Sequence, residues 1–360
     1  MSASTPSTVT CSHQLAWPSL AGMADPAADF FATPEWFELL IRTVLPPGPA
    51  TRLYRAGDPA APTAVLPLLA EPGRLTALAN YYACLYGPVR APGPAGAAGL
   101  AAIFRHLGAE RPRWPQIRLE PLDPAGPFYA QARAGLQAAG YWVDDFFCFG
   151  NWYLQVAGRS FDDYETSLPS RLRNTVRRAR KKLERDGARI EIHSQPGPAL
   201  EAAIADYVAV YNQSWKVPEP YPDFTPGLCR LAAARGWLRL GLLHLDGQPV
   251  AAQLWLIHQR RALIYKLAYV QDYAQRSVGS VLSATLMRHA IDQDQVEEVD
   301  YLTGDDAYKQ DWMSHRRERR GLVAFHPRTA AGLAAAARHF GGRALKRWRR
   351  GAAATAPAAG

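Results

Sequence analysis

The segment from Ala262 to Lys309 constrains the fold more than any other. An apolar run, Ala262 to Val270, leads into the turn Arg276-Ser277-Val278-Gly279-Ser280. A helical pattern follows, with Val281, Leu282, Thr285, Leu286 and Ala290 on one face. Val296 to Leu302 reads as a short strand, and Gly304-Asp305-Asp306-Ala307-Tyr308-Lys309 opens another helix. Strand, glycine turn and helix in this order describe a phosphate site, because backbone N–H groups and the positive helix end point at an anion in the turn. Arg276 supplies a cation there, and the amides of Val278 to Val281 supply neutral donors. An ordinary strand-to-helix turn with a surface arginine uses the same residues; the flanking strands tip the balance toward the phosphate reading.

The rest of the chain sets that segment in an α/β context. Thr33-Pro34-Glu35 starts a helix with a hydroxyl cap, an early proline and an acid favoured by the dipole. Strand-like runs follow at 52–55, 63–69 and 75–79. After a turn-rich connector at Pro92–Gly96 come a helix at 97–107, a strand at 117–120, a helix at 128–139 and a strand at 142–149. Asn151 to Gln155 starts the crossing into the second half. There the pattern predicts a basic helix over 161–185, a strand at 189–193, a helix over 199–216, a proline-broken loop at 218–222 and a helix at about 225–235. Three strand-like runs, 237–245, 249–258 and 262–270, then form a meander, with Asp246-Gly247 as a hairpin turn. A closing strand at 322–325 and an Ala-rich basic helix over 329–349 end the pattern. The two halves share an element order without a residue-level repeat. The expected division is an unordered stretch 1–24, a domain 25–155, a second domain 156–327, a basic helix 328–350 and an unordered tail 351–360.

Composition narrows the chemistry. The 360 residues are 48% hydrophobic and 11% aromatic, ample for two packed interiors. The formal charge of +9 suits polyanions, phosphorylated cofactors or an anionic membrane surface as partners. Cys11, Cys84, Cys148 and Cys229 are far apart with no Cys-x-x-Cys pair, which argues against a metal site or disulfide framework. The histidines show no zinc-binding spacing, and Walker-type and Gly-x-Ser-x-Gly turns are absent, against NTPase and hydrolase readings. With neither a signal-peptide pattern nor an apolar run of about 18 residues, the expected location is the cytoplasm.

Three segments together carry a family resemblance. They are the basic helix Arg171-Leu-Arg-Asn-Thr-Val-Arg-Arg-Ala-Arg-Lys-Lys-Leu-Glu-Arg185, the segment Asn212-Gln-Ser-Trp215-Lys216, and the turn Gly304–Lys309. In order and spacing they resemble the CelD-like (cellulose-biosynthesis-type) acetyltransferases of the GNAT superfamily, relatives of the FemAB aminoacyl transferases. Arg276-x-x-Gly279 is similar to that superfamily's pyrophosphate turn, Gln/Arg-x-x-Gly-x-Gly/Ala, with Val281 departing at the last position. The similarity covers residues 155–326 closely and 27–155 more loosely.

The resemblance implies two tandem GNAT-type α/β domains with mixed central sheets, the second holding acetyl-CoA or another acyl-CoA at Arg276, Ser277, Val278, Gly279 and Ser280, with no metal. It implies acyl transfer to an amine or hydroxyl acceptor, with a sugar or envelope polysaccharide as the related substrate class. Such transfer needs a base for the acceptor and a proton donor for the leaving thiolate. Asp305 or Asp306 can serve as the base, though adjacent Asp residues at a helix start equally well cap it. Tyr308, protonated at neutral pH, can serve as the acid, and Lys309 can bind a substrate anion. Trp215 can wall the acceptor pocket and Lys216 can contact a negative group there, the ordinary alternative being a Trp that closes a helix onto the core; Asp300 and Gly304 complete the set. The basic helix, with eight basic residues and one acid, is by default a solvated face. Its functional readings are contact with tRNA, as in a FemAB-type aminoacyl-tRNA-dependent transferase, or with an anionic substrate or membrane surface. A non-catalytic nucleic-acid or membrane binder using that helix and Arg343–Arg350 is the remaining alternative; no aromatic-interleaved stacking motif supports it.

Overall fold

The protein was analysed as a computed structural model, which describes residues 8–12, 25, 27–45 and 50–354, with side chains as far as residue 343. The expectations of unordered chain over 1–24 and 351–360 lie outside the described residues, except that Val9–Ser12 is a strand and 351–354 are helical. In chain order the elements are β1 (Val9–Ser12), α1 (Pro34–Thr43), β2 (Thr51–Asp58), β3 (Ala61–Glu71), β4 (Arg74–Ala77), β5 (Val89–Arg90), α2 (Gly93–Ala109), β6 (Gln116–Leu122), α3 (Pro127–Ala138) and β7 (Trp142–Gln155). Then come α4 (Phe161–Ser167), α5 (Ser170–Arg185), β8 (Arg189–His193), α6 (Pro198–Asn212), α7 (Phe224–Ala234), β9 (Leu238–Leu245), β10 (Gln248–His258) and β11 (Arg261–Tyr269). The last are α8 (Val278–Arg288), β12 (Glu298–Asp300), α9 (Ala307–Gln310), β13 (His315–Phe325) and α10 (Ala330–Ala354). Among the described residues no helix is long and apolar enough to cross a membrane.

The chain divides into two compact units. The first comprises residues 1–37, 47–148 and 319–360, the second residues 38–46 and 149–318. In the first unit, β2, β3 and β4 form an antiparallel meander, α2 crosses over, and β6 returns parallel to β4. Its sheet is completed by the C-terminal part of β13, where Arg320 to Phe325 pair antiparallel with β6. The helix α2 starts at Gly93, four residues before the sequence expectation, because Pro94 sits in the first turn, where its missing N–H costs nothing.

The second unit repeats that plan. Here β9, β10 and β11 form the meander, α8 crosses over, and β12 returns parallel to β11. Tyr153 to Gln155 of β7 then pair antiparallel with β12, and β8 lines the other edge against β9. Each unit is therefore a mixed sheet with one parallel pair created by a helical crossover. This shared order is the tandem α/β architecture expected from the sequence.

Burial explains why these runs became strands and helices. Leu243, Trp255 and Ala262 on the sheet are fully buried against Val278, Val281, Leu282 and Leu286 of α8. Each such aliphatic side chain contributes about 1.5–3 kcal/mol. The basic segment is two helices rather than one. Ser160 and Asp163 form a reciprocal capping box on α4, and the break falls at Leu168-Pro169, since a residue before proline is disfavoured in helix. In α5, Val176 and Leu183 are buried and the basic side chains face outward, the amphipathic arrangement its pattern required.

Candidate active site

The second unit contains a cavity of about 320 Å³ between the C-terminal half of β11, the start of α8 and the α9 turn. Its opening follows from the sheet. The pairing of β11 with β12 covers only Arg261 to Leu263, whereas β10 stays paired with β11 as far as Tyr269. β12 ends at Asp300, opposite Leu263, so the rest of β11 has no β12 partner on that side, and Leu267 and Tyr269 line the cavity. The β10–β11 ladder also shifts register between Leu254 and Trp255, a bulge that re-aims the strand.

One wall is the turn into α8. A 3-10 helix, Gln271–Arg276, ends at Ser277, whose φ of 55° is left-handed, an uncommon and locally costly conformation for a residue with a Cβ. From there α8 begins, and Ser277, Val278, Gly279 and Ser280 all line the cavity. The N–H groups at a helix start have no intrahelical acceptor. Val281 differs, since its N–H donates to the Ser277 carbonyl at 3.0 Å, so the open donors are those of Val278 to Ser280. A Cβ on Gly279 would lie 2.9 Å from Tyr269 Cδ1. Glycine is thus required by close approach to the cavity wall.

The turn is held from beneath by a residue that sequence reasoning missed. Gln253, 1% exposed within the apolar run of β10, donates from Nε2 to the Gly279 carbonyl at 3.0 Å and to Ser283 Oγ at 2.7 Å. Its Oε1 accepts from Trp255 Nε1 at 2.9 Å. The available signal was an uncharged polar residue inside an otherwise apolar strand.

The remaining sequence-predicted residues fall into two groups. Tyr308 lines the cavity, and its ring meets that of Tyr301 edge-on at 5.8 Å. Burial, followed by the charge of Asp306, pushes its phenol up to about 12, so it stays protonated at neutral pH. Trp215 also lines the cavity, half exposed, with its ring 4.5 Å from that of Tyr269. Lys216 lies beside Trp215, its Nζ 5.8 Å from the indole. Tyr308 and Trp215 thus line the cavity, and Lys216 is the chain neighbour of one of them.

The others are turned toward the protein. Arg276 is ion-paired with Asp186, just past the end of α5, and is absent from the cavity wall. Asp305 makes a two-pronged pair with Arg316 and accepts from Trp152 Nε1 at 2.8 Å. The Arg316 hydrogen bonds hold its carboxyl below the usual range, which suits a structural anchor better than a base. Lys309 is buried; its ammonium donates to the Thr303 carbonyl and pairs with Asp306 at 3.2 Å. It clasps the turn in which Gly304 takes a φ of 104°. Asp300, 1% exposed, is bound by Arg317, Arg261 and Asn151. Among the described residues no three His, Cys, Asp or Glu side chains converge as a metal site would require.

Comparison with known proteins bears on the fold that carries this cavity. Residues 170–310 match the model of the acetyltransferase (GNAT) domain family, a match that supports an acyltransferase. Three solved structures share the fold at low sequence identity. FemX is 12% identical, over 88% of this chain and 97% of its own, with a TM-score of 0.58. The C-terminal domain of a lysylphosphatidylglycerol synthetase from Agrobacterium fabrum, itself described as putative, is 14% identical, over 80% and 89%, with a TM-score of 0.51. L-PGS from Bacillus licheniformis is 11% identical, over 85% and 95%, with a TM-score of 0.50. No curated protein matches by sequence.

Proposed function

We propose that the protein transfers an acyl group from an acyl-CoA, with acetyl-CoA the expected donor, to an amine or hydroxyl acceptor in the cavity of the second unit. The observation that carries this reading is that Val278, Gly279 and Ser280, whose amides have no intrahelical acceptor, line the same cavity as Tyr308. Those amides fit a pyrophosphate by charge and by close backbone approach at Gly279. The thioester supplies the activated acyl group. The protein's part is to hold the two reactants in register, an effect worth up to about 7–11 kcal/mol. Tyr308 is the group able to protonate the departing sulfur, and the edge of β11 beyond β12 offers backbone donors for the carbonyl oxygen. Within the GNAT-type proteins we place the chain with the CelD-like group on its three sequence segments, which favours a sugar-related acceptor.

A second reading has its own support. Eight basic residues on α5, next to the cavity through Leu172, and the likeness in fold to FemX favour a donor delivered on tRNA, as in the FemAB-type transferases. Thermal melting with CoA, acetyl-CoA and bulk tRNA separates the two. A ligand at 100 times its Kd stabilises the folded state by about 2.7 kcal/mol. The acyl-CoA reading expects CoA and acetyl-CoA to raise the midpoint at physiological salt; a rise with tRNA alone gives the site to the second reading.

A further inference from the structure

The sequence carries six lysines against 35 arginines, and three of the six gather beside the cavity. Lys216, Lys266 and Lys309 are each the chain neighbour of a cavity-lining residue, namely Trp215, Leu267 and Tyr308. Two of the three are neutralised, Lys266 by Glu219 and Lys309 by Asp306. Lys216 is not. Its Nζ lies 5.7 Å from the ring of Tyr211 and 5.8 Å from that of Trp215, and it has no hydrogen-bond or ion-pair partner among the described residues.

Aromatic faces attract an ammonium but leave its three N–H donors unfilled. The Nζ of Lys266 lies 5.5 Å from the same Tyr211 ring, so two cations share one aromatic ring, and the cluster keeps one positive charge in excess. Burial, then the Lys266 ammonium, pushes Lys216 down to about 8, with Lys309 adding to the effect and Glu219 and Asp306 opposing it. A chain that uses arginine almost everywhere keeps at this spot a compact point charge, the group able to sit between two rings and still meet a ligand end-on.

We propose that Lys216 is the docking point for an oxyanion, a carboxylate or a phosphate, carried by the acceptor. The acceptor is then an anionic or zwitterionic molecule, not a neutral amine or an uncharged sugar. Calling that molecule the acceptor rests on the acyl-transfer reading above; the anion site itself does not. The oxyanion completes the hydrogen bonding of Lys216 and cancels the excess charge. Trp215, beside it, gives the acceptor body an apolar surface that leads into the cavity.

The test uses the full chain labelled with 13C at the lysine ε-carbons, whose resonances report each titration. The Lys216→Arg variant assigns the Lys216 signal. The expected result is a midpoint near 8 in sodium chloride that rises toward the ordinary lysine value of about 10.4 on addition of sodium phosphate or sodium acetate at matched ionic strength. Phosphate or acetate acting alone identifies which oxyanion the site takes. An unchanged midpoint with both overturns the proposal, whether or not acetyl-CoA binds the same sample in calorimetry. Repeating the titration with saturating acetyl-CoA separates the sources. A phosphate or acetate response that persists supports an acceptor site, whereas CoA that itself raises the midpoint and abolishes the response gives the anion to the donor and overturns the acceptor assignment. A Lys216 response in a protein that fails to bind acetyl-CoA leaves the anion site standing and contradicts the acyl-CoA reading instead.

Discussion

The side-chain amide of Gln253 donates to the main-chain carbonyl of Gly279 at 3.0 Å. Through this bond the centre of the sheet is tied to the first turn of α8, where the open amides face the cavity. The same side chain also satisfies Trp255 Nε1 and Ser283 Oγ, so one buried glutamine orients a strand, a helix and the turn between them together.

Replacing Gln253 with leucine therefore removes three buried hydrogen bonds at once and leaves the Trp255 N–H without an acceptor. An unsatisfied buried donor costs about 1–3 kcal/mol, and a loss of that size is expected in chemical denaturation. Acetyl-CoA affinity is expected to fall as well, because the α8 turn loses its support. A Gln253→Leu protein with unchanged stability would show that the glutamine does not hold the turn.

Tyr308→Phe removes only a half-exposed hydroxyl, so folding and acetyl-CoA binding are expected to survive. If the phenol protonates the leaving sulfur, kcat with a verified acceptor falls about 10²–10⁴-fold. The pH profile carries the second half of the prediction. The phenol is raised to about 12, so its acid form persists across the working range and kcat shows no loss from this group until the pH approaches that value. A basic limb near 10 that vanishes in the Phe variant would contradict the assigned environment.

Lys309→Met is expected to act on stability more than on acceptor KM. The ammonium holds the Thr303 carbonyl and Asp306 rather than facing the cavity. Its removal leaves the Gly304 turn unclasped, at a cost of about 1–3 kcal/mol, measurable by urea denaturation. A variant of wild-type stability with a raised acceptor KM would return Lys309 to the substrate site.

Asp186→Asn tests whether Arg276 is a phosphate ligand held in reserve. The pair is partly exposed, 27% at Arg276 and 39% at Asp186, so its loss is expected to change stability by about 0–1 kcal/mol. A freed guanidinium is expected to tighten acetyl-CoA binding severalfold in calorimetry. Unchanged affinity would leave Arg276 a structural residue only.

How much of this was legible in the sequence depends on which residues carried the structure. The meander β9–β11 announced itself through apolar runs, and Asp246 and Gly247, both at positive φ, make the tight hairpin their pairing suggested. Only Leu322 to Phe325 of β13 could be read, because the first part of that strand is nearly all charged. Its pairing depends on carboxylates distant in sequence, as where Arg317 meets Glu298 and Asp300, and Arg320 meets Asp145. The turn into α8 was legible from its glycine and its place between strand and helix. The orientations of Asp305 and Arg276 were not, since each is set by a partner, Arg316 and Asp186, that no local pattern connects to it.

The central claim, that an acyl-CoA sits on the α8 turn, is tested most directly by calorimetric titration of acetyl-CoA into the wild-type protein and the Gly279→Asp variant. Aspartate puts a side chain toward Tyr269, where a Cβ already comes within 2.9 Å, and a negative charge beside the amides proposed to hold the phosphates. Loss of charge-assisted contacts worth about 1.5–3 kcal/mol weakens binding roughly 10–100-fold. The account predicts measurable binding to the wild type and a loss of that order in a variant that circular dichroism shows to be folded. Equal affinity in the two proteins, or no binding to the wild type, would contradict it.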